Sequence, residues 1–137
     1  MLQLFETMFT FPAPILNRRI RIALVGCGRI GANHVRAIAA HSHRAELVAI
    51  CDVNPEQLEK TKKIILEVAD EYPDASTNPK SFASFKALIH DYQSKACLID
   101  LVVFATPSGL HPSQVILAAK AGLNVCTEKP MATRFND

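Results

Sequence analysis

Four residues have the types and spacing for nucleotide chemistry. They are Gly26, Gly28 and Gly31 in the run Gly26-Cys27-Gly28-Arg29-Ile30-Gly31, and Asp52, which stands 21 residues past Gly31. This spacing suits a turn that brings backbone against a pyrophosphate, followed by a carboxylate for a ribose. Gly26 lets the chain turn tightly out of a strand. Gly28 has no side chain to hold the backbone away from a phosphate, and Gly31 lets the next helix pack close. The phosphates would meet free N–H groups of Gly28, Arg29, Ile30 and their neighbours, at the positive end of a helix dipole. Asp52 can accept hydrogen bonds from both ribose hydroxyls and would repel a 2′-phosphate. Val53-Asn54-Pro55 offers no Arg to receive one, so NAD is favoured over NADP. A bare GxGxxG also describes an ordinary strand-to-helix turn. Asp52 also suits a cap before Pro55, a role compatible with ribose binding.

The elements that must hold these residues follow from the apolar pattern. Ile20 to Val25 is a short β-favouring run, so the turn follows a predicted strand and opens a predicted helix, Ile30 to Ala40. Leu47 to Cys51 is a second strand, ending at Asp52. Asn54 as N-cap and Pro55 at the first helical position start a second helix reaching about Glu71. Ala75 to Thr77 reads as a very short third strand, and Ser81 to Tyr92 as a third helix with Phe82, Phe85, Leu88 and Ile89 on one side. Ile99 to Phe104 is nearly continuous in apolar residues, which suits a parallel strand covered on both faces; Asp100 is the exception. A loop, Ala105 to His111, then a helix from Pro112 to Ala121 and a short strand, Leu123 to Cys126, complete the pattern. Strands alternating with helices predict an α/β, Rossmann-type doubly wound parallel sheet in one domain, in the order 3-2-1-4-5. The glycine turn, Asp52, Thr106 and Glu128 would all lie at its carboxyl edge, where such folds bind ligands.

The chain has 137 residues, about one domain, with 49% hydrophobic and 20% charged residues and a net charge of +2. That balance gives no electrostatic footprint for nucleic acid or an acidic membrane surface. No apolar run is long enough to span a bilayer. Residues 1–18 are expected to form an apolar N-terminal extension, with 19–137 as the dinucleotide-binding domain. The extension lacks the basic start of a signal peptide, and Pro12 and Pro14 break any helix. Cys27, Cys51, Cys97 and Cys126 have neither CxxC spacing nor neighbouring histidines. They are expected to be small buried residues in a reducing cytoplasm, and no metal site is expected. His34, His41, His43 and His90 are expected at the surface.

Three motifs in order, GCGRIG, ATPSGLH and AGLNVCTEKP, resemble the glucose–fructose oxidoreductase / inositol dehydrogenase / MocA family from about Arg19 to Thr133. The resemblance implies that Gly26, Gly28 and Gly31 form the pyrophosphate turn and that Asp52 holds the adenosine ribose. It implies that Thr106, Pro107 and His111 pass near the nicotinamide. Glu128 would hold the nicotinamide ribose, and Lys129 would lie beside nicotinamide and substrate as a catalytic residue. Pro130 matches a proline that is often cis. The plainer alternative for Lys129 is a solvent-facing loop residue, and for His111 a cap or exposed loop residue.

The same resemblance implies a second α/β domain, carrying the catalytic acid/base and most of the substrate pocket, which is absent from these residues. Two expectations follow. In one, the chain is the NAD(H)-binding half of an oxidoreductase acting on CH–OH groups of sugars, cyclitols or sugar derivatives. It would be inactive alone, and a sugar-like substrate would bind only when the other half is supplied. In the other, it is a free-standing NAD(H)-binding module or sensor that needs a partner chain.

Overall fold

The computed structural model describes residues 13–136, so most of the expected extension, residues 1–12, lies outside the described residues. Five parallel strands form a single sheet: β1 (Ile20–Val25), β2 (Ala45–Cys51), β3 (Lys80–Phe82), β4 (Leu101–Phe104) and β5 (Asn124–Thr127). Their order is β3-β2-β1-β4-β5, as the alternation predicts. Side chains alternate across β1. Ile22 and Leu24 enter one apolar layer, and Ala23 and Val25 enter the other. Burial on both faces explains why the strand reads as a continuous apolar run. The β1–β2 register shifts between Ile22 and Ala23, whose partners are Leu47 and Ala49, so Val48 is the extra residue.

Helices cover both faces. α1 (Arg29–Ala40) and α2 (Pro55–Glu71) pack Val35, Leu58 and Ile65 against Ile22, Leu24 and Ile50. α3 (Phe85–Gln93) and α4 (His111–Lys120) pack Leu88, Ile89 and Ala118 against Ala23, Val102 and Phe104. Each large side chain buried here contributes roughly 1.5–3 kcal/mol. The Asn54 side chain accepts from the Glu56 N–H at 2.9 Å, with Pro55 at the first position, which fixes where α2 starts and therefore where Asp52 leaves β2.

Some sequence expectations move. The third strand is Lys80–Phe82, not Ala75 to Thr77, and α3 begins at Phe85, capped by Ser84, which accepts from the Ala87 N–H at 3.2 Å. β3 pairs with β2 only over Ala49 to Cys51, so backbone bonding rather than an alternating apolar pattern defines it. Cys27, Cys51 and Cys97 are buried as expected, but Cys126 is exposed, because β5 is an edge strand.

At the carboxyl edge the strand ends interlock. Asp52 N–H donates to Phe82 O, Gly26 N–H to Cys51 O, Ala105 N–H to Val25 O and Glu128 N–H to Phe104 O, at 2.8–3.1 Å. The segments that carry Asp52, the glycine turn, Thr106 and Glu128 are thus fixed to one another through backbone.

Candidate cofactor-binding site

The glycines divide into two kinds. Gly26 has φ +98°, and a Cβ on it would stand 2.6 Å from the Ala105 carbonyl and 2.7 Å from Thr106 N. A Cβ on Gly31 would stand 2.2 Å from Gly26 O. Both positions are closed to any other residue by backbone. A Cβ on Gly28 would meet nothing within 4 Å, so this glycine faces open space. Gly28 is also the N-cap of α1. It makes no side-chain capping bond, and no acidic residue lies in the first turn. The leading N–H groups of α1 and the positive end of its dipole are therefore left for an anion. The turn is braced from α2, where the Thr61 hydroxyl, 1% exposed, donates to Cys27 O at 3.3 Å.

Asp52 is aimed by the same turn. Its Oδ2 accepts from the Cys27 N–H at 2.8 Å and its Oδ1 from the Asn54 N–H at 2.8 Å. A carboxylate has about four acceptor positions, so roughly two remain free. A cavity of about 570 Å³ opens between these parts, a size usual for small-molecule sites. Of the sequence candidates, Gly26, Gly28, Arg29, Ile30, Asp52, Thr106 and Pro107 line it. Val53, Gln57, Phe85, Leu110 and Gln114 line it too, without having been singled out from the sequence. Gln114, one turn into α4, accepts from the Thr106 hydroxyl through its Oε1 at 2.5 Å. Ile30 is 39% exposed rather than buried in the helix interface, because its side chain faces this opening.

Burial pushes the Cys51 thiol up to about 12 and the nearby Cys27 thiol up to about 11. Both are therefore neutral at physiological pH and unreactive. Arg29 and Asp52 are left as the charged side chains lining the cavity, one suited to phosphate and one to hydroxyls.

Gly31, His111, Glu128 and Lys129 do not line the cavity. His111 is held inside the protein by backbone carbonyls. It is 1% exposed, and its ring nitrogens stand 2.8 Å from Thr106 O and 2.8 Å from Pro130 O. It sits behind the loop and ties the Thr106 turn to the segment after β5. The Glu128 carboxylate lies 2.7 Å from His34 Nε2, so His34, on α1, is half-buried and engaged rather than simply at the surface. Lys129 is exposed, and the Lys129–Pro130 peptide is cis. Among the described residues there is no group of three His, Cys, Asp or Glu side chains placed to hold a metal, and no helix long and apolar enough to cross a membrane.

An open Gly28 face, an unneutralised helix start, an oriented Asp52 and a cavity joining them fit a dinucleotide; this is a Rossmann domain with its ligand edge formed. The chain belongs to the Gfo/Idh/MocA oxidoreductase family, whose profile, described as an oxidoreductase family with an NAD-binding Rossmann fold, matches residues 20–137. It is therefore an NAD-binding Rossmann domain.

Among known proteins it is similar to inositol 2-dehydrogenase of Acidothermus cellulolyticus, with 34% identity over 117 residues, 85% of this chain and 30% of that protein. It is also similar to D-apiose dehydrogenase of Paraburkholderia graminis, with 32% identity over 88% of this chain and 28% of that protein. The WlbA dehydrogenase of Bordetella pertussis, solved with NADH and UDP-GlcNAcA, superposes with a TM-score of 0.74 at 46% identity, covering 90% of this chain and 32% of that one. Scyllo-inositol dehydrogenase of Lactobacillus casei, solved with NAD(H) and scyllo-inositol, gives 0.66 at 31% identity, covering 87% of this chain and 30% of that one. The chain thus spans about 30% of the length of the relatives it matches.

Proposed function

We propose that residues 19–137 are the cofactor half of an NAD-dependent oxidoreductase acting on CH–OH groups of sugars, cyclitols or sugar derivatives, with residues 1–18 an extension to it. The observation that carries this reading is the convergence of Gly28's open face, the start of α1 and the aimed Asp52 on one cavity. Gly28, Arg29 and Ile30 take the pyrophosphate, and Gly26 and Gly31 shape the turn. Asp52 takes the adenosine ribose and disfavours a 2′-phosphate. Thr106 and Pro107 wall the nicotinamide end, Glu128 takes the second ribose, and His111 acts by holding the Thr106 turn and Pro130 in place. Bound NAD supplies a hydride acceptor. The Lys129 ammonium orients the substrate hydroxyl and stabilises the negative charge that grows on its oxygen as its proton passes to the acid/base group expected outside residues 1–137. The relatives' names support the sugar and cyclitol class. Turnover would need a substrate-binding region outside residues 1–137, so these residues alone would bind NAD(H) without turning over substrate. Calorimetric titration of the purified chain tests this. Micromolar binding of NADH, with NADPH markedly weaker, is expected. A folded chain that binds neither would refute the reading.

A further inference from the structure

We propose, resting on that reading of the site, that His34 is a positioning residue that holds Glu128 for the half of the dinucleotide opposite the adenosine. His34 stands one helical turn after Ile30, which lines the cavity, so the two share a face of α1. Side chains on a helix lean toward its N-terminus, and here that is the glycine turn. His34 Nε2 reaches Glu128 Oε1 at 2.7 Å across 94 residues of sequence. A carboxylate only accepts, so Nε2 carries the proton, which both the neutral Nε2–H tautomer and the imidazolium provide. The contact therefore does not depend on which of the two is present. Among the described residues the Glu128 side chain has no other hydrogen-bond partner, so Oε2 is free to accept from a ligand.

The sheet gives this contact its meaning. Asp52 follows β2 and Glu128 follows β5, with β1 and its glycine turn between them. Strands lie about 4.8 Å apart, so β2 and β5, with β1 and β4 between them, are on the order of 14 Å apart. A dinucleotide carries one ribose on each side of its pyrophosphate. A pyrophosphate on the Gly28 turn with one ribose at Asp52 leaves the other toward Glu128. Each carboxylate is then aimed by a donor from the first βα unit. For Asp52 the donor is the Cys27 N–H, and for Glu128 it is His34. An ordinary surface His–Glu pair would contribute only about 0–1 kcal/mol to stability and nothing to ligand choice.

The test is calorimetry of the full chain with two probes: NADH, and ADP, which lacks the second ribose. In His34→Leu, NADH binding is expected to weaken about tenfold and ADP binding to stay within about twofold of the parent. His34→Gln, whose amide nitrogen reaches nearly to the Nε2 position, should restore most of the NADH affinity. Glu128→Ala should give the same NADH-selective loss, and adding His34→Leu to it should cost nothing more. Should the Leu variant fold poorly, the Gln and Glu128→Ala variants carry the same contrast. Unchanged NADH affinity in His34→Leu, equal loss for both probes, or a full further loss on the Glu128→Ala background each overturns the proposal. Gly28→Val run alongside separates the two levels of inference. If it abolishes NADH binding while His34→Leu does nothing, the cofactor reading stands and His34 falls. If it has no effect, both fall.

Discussion

The two edges of the one sheet carry charge in opposite ways. At the amino edge, Asp100 is enclosed by donors. Its Oδ2 accepts from Arg18 at 2.6 Å and from the Arg21 N–H at 2.8 Å, and its Oδ1 accepts from Arg18 at 2.9 Å and Arg21 at 3.1 Å. Arg19 pairs with Glu46 at 2.9 Å, and the Asn124 side chain donates to Asp100 O at 2.9 Å. These bonds join the starts of β1, β2, β4 and β5. At the carboxyl edge, Asp52 is oriented by two backbone donors and Glu128 by one side chain, both keep free acceptor positions, and α1 begins with no acid to neutralise it. One edge satisfies its polar groups internally and gains stability. The other leaves them partly unsatisfied, in directions that suit a ligand. Substitutions should therefore separate: stability at the amino edge, binding at the carboxyl edge.

The largest expected effect marks a limit to that division. Gly31→Ala puts a Cβ 2.2 Å from Gly26 O, and neither backbone segment can move without parting α1 from β1. A loss of about 3 kcal/mol or more in denaturant unfolding is expected, with binding lost as a consequence. Gly28→Val is the complementary break. Its side chain meets nothing within 4 Å in the protein but occupies the space against which a pyrophosphate would lie. NADH affinity should fall by about a hundredfold or more at an unchanged melting temperature. A variant that melts earlier and still binds would reverse the assignment of the two glycines. Asp52→Arg comes next. It exchanges the ribose acceptor for a phosphate donor, so NADH should weaken about tenfold and NADPH should gain, read by parallel titrations. Unchanged NADH affinity would remove Asp52 from the site.

What could be read in advance was whatever local sequence determines. β1 and the glycine turn are contiguous, as are Asp52, the Asn54 cap and Pro55, and the spacing of the two runs sets strand, turn, ligand edge and helix. The topology followed because the alternation of elements leaves few ways to cover both faces of a parallel sheet. β3 was misplaced because its one buried side chain, Phe82, falls three residues before Phe85 and so matches a helical stripe. The parts of the site that escaped depend on long-range partners. His34 meets Glu128 94 residues away, and Thr61 meets Cys27 34 residues away. His111 was singled out beside the nicotinamide, but its bonds to the Thr106 and Pro130 carbonyl groups were not legible, because these belong to two loops that only the sheet brings together.

Asp100→Asn should give the smallest effect and the sharpest contrast with Asp52. The Arg18 guanidinium, and after it Arg21, holds the Asp100 carboxyl well below its ordinary value of 3.8. A group whose folded value is depressed stabilises the fold fully above its unfolded value, and that contribution is lost as pH falls toward the folded value. The Asp100 side chain is only 12% exposed, but Arg18 is 41% exposed, so solvent screens much of the pairing. Because Asn still accepts from the Arg21 N–H, the net loss should be about 1 kcal/mol at neutral pH, or a melting shift of about 4 °C. The difference between parent and variant should be constant above about pH 5 and shrink steadily below pH 4, as the parent's carboxyl gains its proton. NADH affinity should not change in either protein, since the substitution lies at the far end of every strand from the glycine turn. A variant with full stability but weakened NADH binding would mean that the two edges are coupled through the strands, and the division of labour between them would fail.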